Sequence, residues 1–205
     1  MKETLTLAAA LLAVYLPAHA GDSTEAETAQ AVEQFERGIS PWIEAQGKSL
    51  QVNLLWNSEI EQVPGGGAAG SATSWEAGGV VTLTLAGGLV RHPIATLDMA
   101  IFALCHELGH IGGPKYLGEM DADAFAVGTC LPSVWGGTGL GRRIKEASIA
   151  TARYRYAFVT AGGHWPYPEP SWERSSNDAP GDRLQCNLDI AKSLILGLAR
   201  PGCWK

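Results

Sequence analysis

The chain has 205 residues, 46% of them hydrophobic, and a formal net charge of −6 at pH 7. A mildly acidic chain without a basic cluster does not favour nucleic acid as a partner. Every apolar segment is shorter than the roughly 20 residues that a transmembrane helix needs, so we expect no transmembrane anchor.

The first twenty residues have the pattern of a secretory signal peptide. Lys2 precedes an apolar stretch at Leu5–Leu16, and Ala18-His19-Ala20 has the small residues of a cleavage site. We therefore expect a signal peptide at residues 1–20 and a single mature domain at residues 21–205. The protein would be exported, either periplasmic or secreted.

The chain contains four cysteines, and an even number in an exported chain is typical of disulfides. They are Cys105, Cys130, Cys186 and Cys203. Three pairings are possible, and chain proximity together with the predicted layout of the helices favours Cys105–Cys130 and Cys186–Cys203. The alternative is four buried free thiols.

The first half of the mature chain predicts a helix followed by three strands. Val32, Phe35 and Ile39 recur at helical spacing, and Pro41 should kink or end that helix. Alternating and β-branched residues predict strands at Leu50–Trp56, Ser71–Glu76 and Val80–Leu85, the last two joined by Gly78-Gly79 as a hairpin.

The second half is predicted to be helical. Residues Ile94–Ile111 are apolar on nearly every side, which indicates a buried helix, and Gly112-Gly113-Pro114 ends it. Further helices are predicted at Gly118–Leu131, Arg142–Ala161 and Asp182–Leu198. The fold class expected is α+β, with a small β-sheet packed on a buried active-site helix and several further helices.

The buried helix carries the pattern H-E-x-x-H. Residues four apart share a helix face, so His106 and His110 can bind one metal ion, with Glu107 beside the water bound there. Glu119 on the next helix offers a third ligand, and Asp123 follows one turn later on the same face. Two imidazoles and one carboxylate leave one tetrahedral position open, which is typical of a catalytic Zn²⁺ site with one ion per chain.

The residue types at this site suggest distinct roles. Glu107 would act as the general base that takes a proton from water, and Asp123 would orient a ligand histidine through its second ring nitrogen. In the alternative, Asp123 is the third ligand and Glu119 lies outside the site. A structural zinc site completed by Cys105 is disfavoured, because adjacent helix positions point about 100° apart.

The sequence is less specific about the rest of an active site. Tyr116, Tyr154, Tyr156 and His164 are candidates for a donor to an oxyanion by residue type alone. The strand Val80–Leu85 lies just before the metal helix and either pairs its edge with an extended peptide or is an internal strand.

The two motifs together resemble those of the gluzincin peptidases, which combine H-E-x-x-H with E-x-x-A-D. The matching residues are His106–His110 and Glu119–Asp123. The chain also resembles small exported bacterial proteins of this type with a cysteine before the first motif and another ending the second helix. The resemblance implies zinc at both histidines and the glutamate, Glu107 as catalytic base, and a compact zincin-like domain. The loop between His110 and Glu119 is much shorter than in membrane-bound gluzincins, so their oxyanion residues cannot be carried over.

We therefore interpret the sequence as an exported zinc metallopeptidase that acts on a peptide or protein substrate. Tyr116 and His164 are retained as candidate oxyanion donors. The alternative is a non-proteolytic module that binds zinc and recognises a partner on the same scaffold.

Overall fold

The computed structural model of the chain describes residues 23–58, 72–112, 118–137, 139–160 and 180–196. Its helices are α1 Glu25–Glu44, α2 Gly87–Val90, α3 Leu97–Gly112, α4 Glu119–Phe125, α5 Leu131–Trp135, α6 Leu140–Thr160 and α7 Pro180–Leu196. Its strands are β1 Ser49–Leu55, β2 Ala72–Ala77 and β3 Val80–Ala86, which form one mixed sheet. Helices beside a small sheet confirm the predicted α+β class.

Helix α1 packs against β1, α3 and α5. Thr24 caps its first turn through a capping box. Pro41 was predicted to kink or end this helix. In the structure one helix runs through Pro41 and ends at Glu44. Proline removes a single backbone donor near the end of the helix, whereas the fully buried side chains of Ile39 and Ile43 hold this last turn against the core.

The sheet has the strand order β1-β3-β2. Strand β3 pairs in parallel with β1 on one side and antiparallel with β2 on the other. Gly78 and Gly79 have positive φ angles, as the tight turn between β2 and β3 requires. The strand predicted at Val80–Leu85 is therefore an internal strand and has no free edge for a peptide. Strand β2 is the edge strand closest to α3.

Helix α3 lies against β2 and β3 and is also packed by α4 and α6. Its start is fixed by Thr96, whose side chain accepts a hydrogen bond from the Met99 amide. The apolar residues of α3 that are buried include Phe102, Leu104 and Leu108. The predicted buried helix is thus confirmed.

The chain after α4 does not form the single α-helix predicted at Gly118–Leu131. A π-helical turn, Ala126–Cys130, follows α4, and the helical path then continues beyond Pro132 as α5. The wider turn adds one residue to the helical repeat just before Cys130, a change that no periodicity in the sequence encodes. The sulfur of Cys130 bonds that of Cys105, which confirms the first predicted disulfide and ties this segment to α3.

Several predictions concern residues outside the described ranges. Cys186 on α7 is disulfide-bonded, but Cys203, its predicted partner, is outside these ranges, so that pairing stays a prediction. The signal peptide predicted at residues 1–20 is outside them as well. None of the described helices combines the length and the apolar character needed to cross a membrane.

Candidate metal centre

The candidate site lies where α3 and α4 cross. Gly109 of α3 is at the crossing point, and a Cβ atom added there would be 2.8 Å from the Ala122 Cα atom of α4. Only glycine allows the two backbones to approach this closely. His106 and His110 lie before and after Gly109 in the sequence, and the crossing brings both imidazoles close to α4.

Three side chains converge at this crossing. The Nε2 atoms of His106 and His110 are 3.1 Å apart. Each oxygen of the Glu119 carboxylate faces one of the imidazoles, with Oε2 at 3.3 Å from His106 Nε2 and Oε1 at 3.5 Å from His110 Nε2. One ligand atom from each residue thus lies within 4.8 Å of the other two, which makes this a possible metal site.

The spacing of these atoms fits a tetrahedral zinc ion. Zinc bonds to imidazole nitrogen and carboxylate oxygen at about 2.0–2.1 Å, so neighbouring ligand atoms around a tetrahedral ion are about 3.3–3.4 Å apart. The two imidazole nitrogens are 3.1 Å apart, and each lies 3.3 or 3.5 Å from a different oxygen of Glu119, so all three separations are close to this value. Two imidazoles and one carboxylate are also the donor types that zinc accepts in open sites.

Asp123 contacts the opposite side of the first imidazole. Its Oδ1 atom lies 2.7 Å from His106 Nδ1, and both side chains are buried. A carboxylate at Nδ1 favours the tautomer that carries its proton there and leaves a lone pair on Nε2. This geometry supports the role predicted for Asp123, as a residue that orients His106, and favours Glu119 as the third donor.

The two carboxylates also change the protonation of His106. Burial alone lowers the pKa of this imidazole, but Glu119 and Asp123 together outweigh burial and raise the pKa to about 9. At neutral pH the metal-free site therefore holds a proton close to the point where the three ligand atoms meet. Metal binding would have to displace that proton.

Glu107 lies between the two histidines in sequence and turns towards the sheet. Its Oε2 atom accepts a hydrogen bond of 3.4 Å from the Ser74 hydroxyl of β2. Sequence reasoning did not identify Ser74. No signal in the sequence singles out Ser74, because the residues that share its face of β2 are Ala72 and the charged Glu76.

The other candidates do not join this cluster or are not described. Cys105 is bonded to Cys130, so its sulfur does not serve as a metal ligand. The ring of Tyr154 packs edge-on against His92, and burial raises the pKa of this tyrosine to about 12. The predicted oxyanion donors Tyr116 and His164 lie outside the described residues, and their roles stay predictions.

No protein-family model, no curated protein and no solved structure matches this chain.

Proposed function

We propose that the protein is a zinc-dependent metallopeptidase, with His106, His110 and Glu119 as ligands and Glu107 as general base. The observation that carries the proposal is the convergence of two imidazoles and one carboxylate: the imidazole Nε2 atoms are 3.1 Å apart, and the two oxygens of Glu119 lie 3.3 Å from one and 3.5 Å from the other. These three side chains alone would suit a structural ion. A hydrolytic site also requires a group that can accept a proton, and Glu107, which directly follows His106 on α3, has the right type of side chain.

The side chains divide the chemistry between them. When bound, zinc supplies Lewis acidity for the scissile carbonyl and lowers the pKa of a water molecule to about 7. Glu107 would accept a proton from the water whose oxygen adds to the carbonyl carbon, and would return that proton to the amine nitrogen as the C–N bond breaks. Asp123 keeps the proton of His106 on Nδ1, so that Nε2 is available to the ion.

A peptide is the proposed substrate because of the strand that borders the general base. Ser74 of β2 contacts Glu107, and no described strand pairs with the side of β2 that faces away from β3. An extended peptide could add to this edge through main-chain hydrogen bonds, which would bring its carbonyl groups close to Glu107. The disulfide Cys105–Cys130 is compatible with the further proposal that the enzyme is exported.

The test is the replacement of Glu107 by glutamine in the oxidised protein loaded with zinc. The variant should keep one zinc ion per chain, because Glu107 is not a ligand, while turnover of a peptide library falls by about 10²- to 10⁴-fold. Zinc content measured by mass spectrometry and cleavage followed by liquid chromatography give the two readouts. Glu146→Gln removes a carboxylate from the exposed surface of α6 and should change neither.

The rival function predicts a different pair of results. A non-proteolytic zinc module would bind zinc in the wild type and in Glu107→Gln, and neither would cleave any peptide of the library. A wild type that binds no zinc at all would refute both functions. Equal cleavage by wild type and Glu107→Gln would leave the enzyme a peptidase but remove Glu107 from its mechanism.

A further inference from the structure

Strand β2 lacks the features that usually protect the edge of a sheet. Edge strands commonly carry proline, lysine or a bulge, which prevent pairing with another chain. The sequence of β2, Ala72–Ala77, contains neither proline nor lysine, and its one charged residue, Glu76, forms an ion pair with Lys48 at 2.8 Å. This edge is therefore suited to accept an additional strand.

Successive residues of β2 point to opposite faces of the sheet. Ser74 points towards α3 and contacts Glu107. Trp75 points the other way, and 55% of its surface is exposed. An indole is usually largely buried in a folded domain, so this exposure is unexpected on the strand whose Ser74 contacts Glu107 from the other face.

The residues paired with Trp75 across the sheet are uncharged. It is paired with Thr82 of β3, which is in turn paired with Gln51 of β1, so the row across the sheet at this position contains no charged side chain. A charged side chain of a ligand would find no opposite charge in this row, whereas an apolar one would cover the indole. The row therefore favours an apolar partner.

We infer that Trp75 is a specificity-determining residue that selects a large apolar or aromatic side chain in an extended peptide bound along β2. This inference rests on the proposed peptidase function and names the preference of that same site. The peptide residue opposite Ser74 would direct its side chain towards Glu107. The next residue would direct its side chain towards Trp75, at the distance of about 4.5–5.5 Å between Cβ atoms that paired strands have.

The test measures peptide binding to the zinc-loaded Glu107→Gln protein, which should bind without cleaving. The probes are acetylated and amidated heptapeptides of alanine in which one position at a time is phenylalanine, lysine or glutamate. At one position phenylalanine should improve the dissociation constant about tenfold over alanine, whereas lysine and glutamate should not. Isothermal titration calorimetry gives the constants.

Variants at position 75 locate this preference. In the same background, Trp75→Ala should abolish the advantage of phenylalanine, Trp75→Phe should retain most of it, and Trp75→Glu should replace it with a preference for lysine. Because Trp75 is exposed, these changes should leave the fold intact, which thermal unfolding would check. Leu55→Ala on β1 is the matched control, since Leu55 is also an exposed apolar residue of an edge strand.

Each contrary result counts against the inference. It is overturned if no peptide binds, if phenylalanine keeps its advantage in Trp75→Ala, or if Leu55→Ala loses the advantage to the same extent. Cleavage of the same peptides by the wild type distinguishes a failure of the role of Trp75 from a failure of the peptidase function. Cleavage without any preference at any position would overturn the role of Trp75 and leave the peptidase function standing, whereas zinc binding without cleavage would count against that function itself.

Discussion

The two ends of helix α3 each carry a cluster of polar side chains, and the clusters differ in how their charges are balanced. Near the start of the helix, Asp98 accepts two hydrogen bonds from Arg143, at 2.6 and 3.1 Å, and the guanidinium lies 4.2 Å from the centre of the Trp135 ring. One acid thus meets one permanent cation in a planar, bidentate contact. In such a pair the charge of the guanidinium balances that of the carboxylate.

Near the end of the helix, two carboxylates meet two imidazoles. Glu119 and Asp123 supply the carboxylates and His106 and His110 the imidazoles, and an imidazole, unlike a guanidinium, can lose its proton to bind a metal ion. The nitrogen atoms that face each other at 3.1 Å can both be acceptors, so a proton or a metal ion is needed between them. The first cluster thus joins an acid to a cation within the protein, whereas the second is a possible metal site.

The largest expected effect is the loss of zinc on replacing Glu119 by alanine. Zinc sites in peptides with four protein ligands bind with about 10–16 kcal/mol, so one ligand accounts for about 3–4 kcal/mol, which is a several-hundredfold loss of affinity. Competition with a chromophoric chelator would measure it. Glu119→Ala should also lower the stability of the metal-free protein near neutral pH, because Glu119 is one of the two carboxylates that raise the pKa of His106.

Asp98→Ala is the counterpart at the other end of the helix. It should lower the free energy of unfolding by about 2 kcal/mol, because it leaves the largely buried Arg143 without its bidentate partner, and zinc affinity should stay unchanged. The contrast between the two clusters fails if Asp98→Ala loses zinc as readily as Glu119→Ala does.

An effect smaller than the loss of zinc in Glu119→Ala is expected from closing the crossing of α3 and α4. In Gly109→Ala the new methyl group would meet the Ala122 backbone at 2.8 Å, so the helices must separate, at a cost of about 2–3 kcal/mol in unfolding free energy. Zinc affinity should fall as well, since the ligands come from both helices. Gly118→Ala is the matched control, because an added Cβ at that position meets no atom within 4 Å. Equal zinc affinity in both variants would show that the close approach does not position the ligands.

The pairing of His106 with His110 could be predicted from sequence because it depends on helical spacing alone. His106 and His110 share a face in any α-helix. The connection to Glu119 is short, so α4 is expected to return across α3. The disulfide Cys105–Cys130 follows from the same arrangement. The importance of Gly109, by contrast, could not be predicted from the motif, because the need for glycine there comes from the backbone of another helix.

The identity of the edge strand could not be predicted in the same way. Val80–Ala86 is the most β-like segment of the chain, yet that quality reflects burial between two neighbours and says nothing about which strands they are. Its partner β1 lies more than twenty residues earlier and pairs in parallel, a contact that no local pattern encodes. The roles of Ser74 and Trp75 depend on this pairing, so they emerged only with the structure.

An effect of about the same size as that of Asp98→Ala is expected from pH on the stability of the metal-free protein. Burial disfavours charge on His106, but the nearby carboxylates raise its pKa to about 9 in the folded state, against 6.5 for an ordinary histidine. Because the folded pKa is the higher one, this stabilisation is fully present below pH 6.5 and is lost as the pH rises through 9. Urea unfolding in the presence of a chelator should therefore give about 2 kcal/mol less at pH 9 than at pH 7. Asp123→Asn should flatten this slope, because it removes one of the carboxylates that favour the imidazolium. If the wild type and Asp123→Asn had the same slope, Asp123 would not contribute to the raised pKa of His106, and the contrast with the pair at Asp98 would rest on Glu119 alone.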